Sequence, residues 1–220
     1  MHTLERAIAA VDAAANNPNE GLPEPVFLMV SRLTPMVNVD LLIQNPTDGT
    51  TLLTWRNDRF HGEGWHIPGG IVRFKETFAE RIHQVARQEL GAKVRFDPQP
   101  LMIQEPIVRD RADRSHFVSL LFACSLTHQP DESMRFFNGQ PQAGQWAWHK
   151  GCPGNVLPIH RLMYRHVLES KTIGNCSRPF QERLGYESLC QGFAPNPTRT
   201  PSWTCQGASP LDPDSLPGAE

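Results

Sequence analysis

The stretch from Gly69 to Gly91 constrains the fold of this chain more than any other segment. It begins with the pair Gly69-Gly70, which predicts a turn, because glycine adopts backbone conformations that other residues avoid. Glu76 follows, and no glycine or proline interrupts the chain from there to Leu90. Apolar residues recur at helical spacing in this run, so we predict a helix over 76–90 with Gly91 as its C-terminal cap.

The remaining elements are predicted from shorter patterns. Strands are expected at 36–44 and 51–56, and the turn signal at 46–49 between them indicates a hairpin. Further strands are expected at 101–109, 116–126 and 145–149, and further helices at 3–15, at 24–33 and within 153–170.

Composition divides the chain into three parts: an N-terminal helical extension at 1–33, a folded domain at 34–170, and a tail at 171–220. The tail holds seven prolines and five glycines, with few aliphatic residues. Such a segment buries too little surface to offset the entropy of ordering it, so we expect the tail to be disordered.

Charge and cysteine usage exclude several classes of protein. The formal net charge of −2 gives no basic footprint for nucleic acid. No apolar run reaches the roughly 18 residues of a membrane helix, and the N-terminus lacks the apolar core of a signal peptide. The five cysteines form no C-x-x-C pair, which argues against zinc and a disulfide framework. We therefore expect a soluble, cytoplasmic protein.

The segment from Gly69 to Gly91 resembles the Nudix box, G-x5-E-x7-R-E-U-x-E-E-x-G-U, in which U is aliphatic. Its second half reads Gln84-Val85-Ala86-Arg87-Gln88-Glu89-Leu90-Gly91-Ala92, so Glu89 is the one later glutamate that remains. A box with a single glutamate before Leu-Gly is similar to that of the GDP-mannose mannosyl hydrolases. Blocks at 34–40, 52–59 and 64–70 also resemble that family, and the resemblance runs from about Leu33 to about Leu168.

The resemblance implies a Nudix fold of the α+β class, in which a mixed β-sheet is sandwiched between α-helices. It also implies a homodimer that pairs through N-terminal elements. The implied activity is Mg²⁺-dependent hydrolysis of a nucleoside diphosphate sugar such as GDP-mannose. In this family water attacks the anomeric carbon of the sugar, and the nucleoside diphosphate is the leaving group.

The same resemblance implies the metal and phosphate ligands. One Mg²⁺ is expected on the backbone carbonyl of Gly69, the carboxylate of Glu89 and the side chain of Gln142. This set is reasonable because Mg²⁺ takes oxygen ligands and often only one or two carboxylates. Arg56 is expected on the diphosphate, which a guanidinium can bind through two oxygens at once, and Arg59 is a second candidate.

Three more positions receive roles from the resemblance. Asp40 matches an aspartate near the sugar or the leaving phosphate. An isolated carboxylate in an apolar strand is costly to bury, which also favours a role in the site. Gly70 is expected to shape the turn, and Glu76 to fix the junction between this turn and the helix.

The general base stays open. In the family it is a histidine after the metal-binding glutamine, and Ala143 occupies that position here. Such a base must activate water on the face opposite the leaving group. The candidates to replace it are His66, His116, His149, Asp131 and Glu132.

Two other functions also stay open. One is a binding module that recognises a nucleotide sugar without turnover. It is favoured by Ala143 and by Ile71, Gln84 and Phe117, where the family has two arginines and a tyrosine. The other is a conventional Nudix pyrophosphohydrolase that attacks at phosphorus, against which the single box carboxylate argues.

Overall fold

A computed structural model describes residues 2–170 of the protein, and the predicted tail at 171–220 lies outside the described residues. The described part of the chain has four helices: α1 (Thr3–Ala14), α2 (Glu24–Ser31), α3 (Phe78–Leu90) and α4 (Pro158–Leu168). Eight strands accompany them: β1 (Met36–Ile43), β2 (Thr51–Asp58), β3 (Gly62–His66), β4 (Gly69–Ile71), β5 (Lys93–Phe96), β6 (Met102–Gln104), β7 (Phe117–His128) and β8 (Trp146–His149).

The strands form two sheets. The larger one is mixed: its order is β4-β1-β7-β5, and β6 also pairs with β7. Strands β1 and β7 run parallel, whereas the other pairs in this sheet are antiparallel. The smaller sheet has the order β3-β2-β8 and is antiparallel. The α+β class and the mixed sheet expected from the sequence are confirmed, and the antiparallel sheet is an addition to them.

The predicted hairpin between the first two strands is wrong. Strands β1 and β2 belong to different sheets, and only the bridge between Gln44 and Thr51 joins their ends. Strand β1 instead pairs in parallel with β7, from Met36 opposite Phe117 to Ile43 opposite Cys124. The turn at 46–49 does reverse the chain, as predicted. Strand β1 nevertheless forms its long ladder with β7, in parallel, rather than with its neighbour β2.

Helix α3 begins two residues later than predicted because Thr77 caps it. The Thr77 hydroxyl accepts a hydrogen bond from the Glu80 N–H at 3.2 Å, and the Glu80 carboxylate accepts one from the Thr77 N–H at 2.8 Å. This reciprocal capping box satisfies two donors that the first turn would leave unpaired. Gly91 ends the helix with a φ of 61°, the left-handed conformation that favours glycine.

Helices α3 and α4 cover opposite faces of the sheets. Residues Leu41 and Ile43 of β1 pack with α3 in one apolar cluster, whereas Leu42 between them packs with α4 in the other. This alternation follows from the two-residue period of a strand. Burying each such leucine contributes roughly 1.5–3 kcal/mol, so both helices are held firmly against the strands.

The N-terminal extension is less buried than the rest. Helix α1 has no buried residue, and Leu4 and Ile8 on it are 65% and 52% exposed. Helix α2 buries only Ser31. No helix within residues 2–170 combines the length and the apolar character needed to cross a bilayer.

Candidate functional site

Glu89 lies in a small pocket that three parts of the fold build together. It is in the last turn of α3, and it faces Thr54 and Arg56 of β2 and the loop at Ala143. The pocket has a volume of about 400 Å³. The Gly144 N–H fixes the loop against β2 by donating to the Trp55 carbonyl at 2.9 Å.

Burial raises the pKa of Glu89 to about 7, and the positive charge of Arg56 opposes this rise. The Thr54 hydroxyl and the Gly69 N–H also favour the charged carboxylate, whereas the nearby Asp40 disfavours it. A group with this pKa changes its charge near neutral pH, which is uncommon for a glutamate. The pocket therefore holds a carboxylate that a bound cation would strongly favour in its charged form.

A short hydrogen-bond chain runs from this carboxylate into the core. Thr54 Oγ1 is 3.0 Å from Glu89 Oε2 and 3.0 Å from His66 Nε2. His66 Nδ1 is 2.8 Å from the Ile67 carbonyl, which can only accept, so Nδ1 carries a proton. Burial lowers the pKa of His66 well below its usual value, so its Nε2 is an acceptor.

Thr54 has only one hydroxyl proton for these two neighbours. When the Thr54 hydroxyl donates its hydrogen bond to His66, the Thr54 oxygen can accept a hydrogen bond only from a protonated Glu89. When Glu89 is charged, the Glu89 carboxylate accepts the Thr54 hydrogen bond instead. The chain therefore couples the protonation of Glu89 to a histidine that is 3% exposed. We did not predict Thr54 from the sequence, and an isolated threonine in a buried strand gives no signal of this role.

Gly69 is packed so tightly that no larger residue fits. A Cβ at this position would lie 2.1 Å from Asp40 Oδ1 and 2.9 Å from the Val39 carbonyl. Gly69 pairs with Asp40 in the ladder between β4 and β1. Glycine at this position thus lets the box turn, at Gly69-Gly70, lie directly on the buried carboxylate of Asp40. This contact excludes a side chain at position 69, which the turn conformation alone would not do.

Asp40 is not accessible to a substrate in this arrangement, contrary to the role expected for it. It is 1% exposed, and Tyr164 donates to its Oδ2 at 2.5 Å while Asn38 donates to its Oδ1 at 2.8 Å. Burial raises the pKa of Asp40 to about 6, and these hydrogen bonds oppose the rise. Its partners are thus protein groups beneath the site.

Glu76 joins the box turn to the start of α3. Its Oε2 accepts from the Arg73 N–H at 2.9 Å and from Arg81 Nε at 2.8 Å. Arg81 is 4% exposed, so this pair neutralises a buried charge. A Cβ at Gly70 would lie 2.9 Å from Val85 Cγ2, which shows how closely the turn packs on the helix.

The two arginines expected on phosphate differ in position. Arg56 lines the Glu89 pocket, and its Nε is 3.7 Å from Asp58 Oδ2. Arg59 is on the turn after β2, exposed, and forms an ion pair with Glu24 of α2. Arg59 does not line the pocket, so of these two expected arginines the structure brings Arg56 to Glu89.

Gln142 is beside the pocket but not in its lining. Its side chain is exposed, whereas its neighbours Ala143 and Gly144 face Glu89. The Gln142 N–H donates to the Gln145 side chain at 2.9 Å, so the loop has an internal brace. Within residues 2–170 there is no cluster of three or more His, Cys, Asp or Glu side chains suited to a metal. The expected ligand set has one carboxylate, so it would not form such a cluster.

The candidate bases have other contacts, and His66 is the one among them that lines the Glu89 pocket. His116 Nε2 is 3.0 Å from Glu105, in a separate surface groove. Asp131 accepts two hydrogen bonds from Ser133 at the start of a short 3₁₀ helix (Glu132–Met134), and Glu132 pairs with Arg135. His149 packs against Trp65, with ring centroids 4.5 Å apart.

A larger cleft of about 750 Å³ adjoins the Glu89 pocket. Arg56 and Arg114 line both cavities, and Arg111 lines the larger one. Helix α2 contributes Phe27 and Val30 to its wall. Neither Arg111 nor Arg114 was predicted as a site residue, because both are in the segment between the strands expected at 101–109 and 116–126 and belong to no motif.

Comparison with known proteins includes a partial sequence match. No protein-family model matches the chain. The low-salt glycan biosynthesis protein Agl8 of Haloferax volcanii is 34% identical over 84 residues, which make up 38% of this chain and 52% of that protein. The match therefore spans about half the length of this curated relative.

Solved structures of similar fold cover more of the chain. The MutT NUDIX hydrolase from Burkholderia pseudomallei has a TM-score of 0.44 and 20% identity, over 59% of this chain and 95% of that one. A UDP-X diphosphatase has a TM-score of 0.43 and 17% identity, over 72% and 85%. The MutT protein from Methanosarcina mazei Go1 has a TM-score of 0.43 and 18% identity, over 62% and 94%. The solved structures that this chain resembles thus include Nudix hydrolases.

Proposed function

We propose that this chain is a Mg²⁺-dependent hydrolase of the Nudix superfamily that acts on a nucleoside diphosphate sugar. The observation that carries the proposal is the position of Glu89. The one carboxylate left in the box faces Arg56 and the loop at Ala143 in a single pocket, and the Gly69 N–H interacts with it. A lone cation-binding group beside a guanidinium suits a ligand that carries phosphates.

The donor set fits Mg²⁺. Glu89 would supply a carboxylate oxygen, Gly69 its backbone carbonyl, and Gln142 an amide oxygen after its exposed side chain turns inward. All three donors are oxygens, as this cation requires, and substrate phosphates and water would complete its shell. Bound Mg²⁺ would neutralise charge on the departing nucleoside diphosphate.

The protein's own groups have three tasks in this chemistry. Glu89 must be charged to hold the cation. The Thr54 hydroxyl then donates to Glu89 rather than to His66. Arg56 would bind phosphate oxygens and stabilise the leaving diphosphate. Ala143 cannot accept a proton. A residue at another position must therefore deprotonate the water that attacks the anomeric carbon.

The sugar nucleotide class has two supports. The sequence blocks at 34–40, 52–59 and 64–70 resemble GDP-mannose mannosyl hydrolases, which makes GDP-mannose and GDP-glucose the first substrates to test. The partial relation to a glycan biosynthesis protein agrees with a sugar nucleotide as substrate. We further propose a cytoplasmic homodimer, on the resemblance alone.

The test is turnover of GDP-, UDP- and ADP-sugars with Mg²⁺, in which free sugar and nucleoside diphosphate are measured separately from monophosphate. Glu89→Gln should lower turnover by at least about a hundredfold and leave folding intact, because the amide can still donate to Thr54. Glu63→Gln is the matched control, since Glu63 is an exposed glutamate of β3. Unchanged turnover in Glu89→Gln would refute the metal assignment.

A second candidate function is a binding module for a nucleotide sugar. Ala143 favours it, because a pocket with no proton acceptor on this loop can hold a ligand without activating water. Silence across the substrate panel, together with Mg²⁺-dependent binding of the same compounds, would favour this candidate. Release of monophosphate would instead indicate conventional Nudix attack at phosphorus.

A further inference from the structure

Three arginines meet where the Glu89 pocket opens into the larger cleft. Arg111 and Arg114 are on the loop between β6 and β7, and Arg56 is on β2. Arg114 and Arg56 line both cavities, whereas Arg111 lines the larger one. This grouping is unusual, because like charges that share a cleft repel one another unless something neutralises them.

The charges around this cluster do not balance. Among the groups that act most strongly on Arg114, Asp58 favours its charge, whereas Arg56, Arg111 and Arg59 act against it. Arg59 has its own partner in Glu24. His61, which adjoins the cluster, stays neutral because burial lowers its pKa to about 4. The surroundings of Arg114 therefore carry an excess of positive charge, whereas Arg56 also faces the carboxylate of Glu89.

Arg114 is held rigidly. Its guanidinium lies over the rings of Phe27 and Phe60, 5.5 Å and 4.6 Å from their centroids, and its backbone N–H donates to Ser31 Oγ at 3.1 Å. Arg111 braces the loop, because it donates to the Phe60 carbonyl at 2.7 Å and also to the Arg114 carbonyl. A side chain that is fixed against two rings loses little entropy when it binds a ligand.

Two buried guanidinium donors of this cluster lack acceptors among the described residues. Arg111 Nε and Arg114 Nε are buried, and neither has a hydrogen-bond partner among the described residues. Arg56 has only the long contact of 3.7 Å to Asp58. A buried donor without an acceptor costs roughly 1–3 kcal/mol, so a cluster of them is typical of a site that a ligand completes.

We propose that Arg114 and Arg56 form a clamp for a doubly charged phosphate ligand, and that Arg111 positions Arg114 in it. A diphosphate group fits the clamp best, because its several charged oxygens can accept hydrogen bonds from both guanidinium groups. The proposal deepens the proposed function and rests on it for one point, namely that the diphosphate belongs to a nucleotide. Arg114 would then join the Glu89 pocket to the larger cleft, which would hold the rest of the ligand.

The test is binding of inorganic pyrophosphate to the full chain without divalent metal, measured by isothermal titration calorimetry. Arg114→Gln should weaken binding about ten- to hundredfold, because a charged hydrogen-bond pair is lost. Arg114→Lys keeps the charge but not the fork, so its loss should be intermediate. Arg109→Gln is the control: Arg109 is exposed on the same loop, and its variant loses the same charge.

Three results would overturn the proposal: no binding of millimolar pyrophosphate by the unmodified protein, equal binding by Arg114→Gln, or equal weakening by Arg109→Gln. Circular dichroism of each variant checks that it is folded, and Arg114→Lys keeps the test valid if Arg114→Gln unfolds. Glu89→Gln separates the two proposals, because it should abolish turnover yet keep metal-free pyrophosphate binding. Turnover by an unmodified protein that does not bind pyrophosphate would refute the clamp and leave the proposed function standing.

Discussion

Replacing Gly69 by alanine should destabilise the protein far more than a turn position would. The new methyl group would lie 2.1 Å from Asp40 Oδ1 and 2.9 Å from the Val39 carbonyl, both on strand β1. Asp40 cannot retreat, because Tyr164 and Asn38 hold its two oxygens at 2.5 Å and 2.8 Å. Overpacking costs about 1–3 kcal/mol, and breaking a buried carboxylate's hydrogen bond adds about 1–3 more.

We therefore expect Gly69→Ala to lower the free energy of unfolding by about 3–5 kcal/mol, a large share of a typical domain's stability. Two other glycines calibrate the measurement. Gly70→Ala meets Val85 Cγ2 at 2.9 Å, which is a side chain, so about 1–2 kcal/mol is expected. Gly154→Ala meets nothing within 4 Å, and its effect should stay within about 0.5 kcal/mol.

Urea unfolding followed by tryptophan fluorescence gives the three values, provided that the slope with denaturant is the same for all variants. The double variant Gly69→Ala/Asp40→Ala tests the cause, because removal of the carboxylate should recover part of the loss and give a coupling of more than about 1 kcal/mol. If Gly69→Ala proves as stable as Gly154→Ala, the contact between the box turn and Asp40 does not exist in solution.

Three further predictions concern catalysis, acid sensitivity and assembly. Ala143→His should raise the turnover of a GDP-sugar by about 10²-fold if the loop lacks only a base, and no gain would show that another residue has taken this role. Burial lowers the pKa of His149 to about 4, so the unfolded state binds the proton of this histidine more tightly and stability falls as pH drops from about 6.5 to 4. In urea titrations His149→Phe should remove up to about 3 kcal/mol of that fall. The same dependence of stability on pH in the variant and the unmodified protein would contradict this. Light scattering should show a dimer that Leu4→Glu and Ile8→Glu convert to a monomer, and a monomeric starting protein would refute the pairing through α1.

Local signals gave the parts of the fold that local interactions determine. Helix α3 was predicted because its apolar spacing and its stop at Gly91 lie within one continuous segment, and Glu89 could be placed at its end. Strand β7 was found in the same way. The error at the start of α3 was small, and Thr77 with Glu80 three residues later matches the capping-box pattern that marks this start.

Long-range contacts account for the failures. The parallel ladder joins Met36 to Phe117, and no turn signal marks it, so β1 was paired with the wrong strand. Asp40 was placed in the site because a buried carboxylate is costly, yet its partner Tyr164 lies 124 positions further along the chain. Arg114 was missed because its role depends on Phe27 and Phe60, which only the folded chain brings to it.

Glu89 is held by contacts from both sheets, through Thr54 of β2 and the Gly69 N–H of β4, and this has a consequence for how the protein folds. Strands β2 and β3 form a local hairpin and can pair within microseconds, but they contribute only the contact from Thr54. The contact from Gly69 depends on the box turn lying against β1, which in turn requires the slow closure of the β1–β7 ladder. Ligand binding should thus return only with the last phase of refolding, and a time course of binding would report on completion of the mixed sheet.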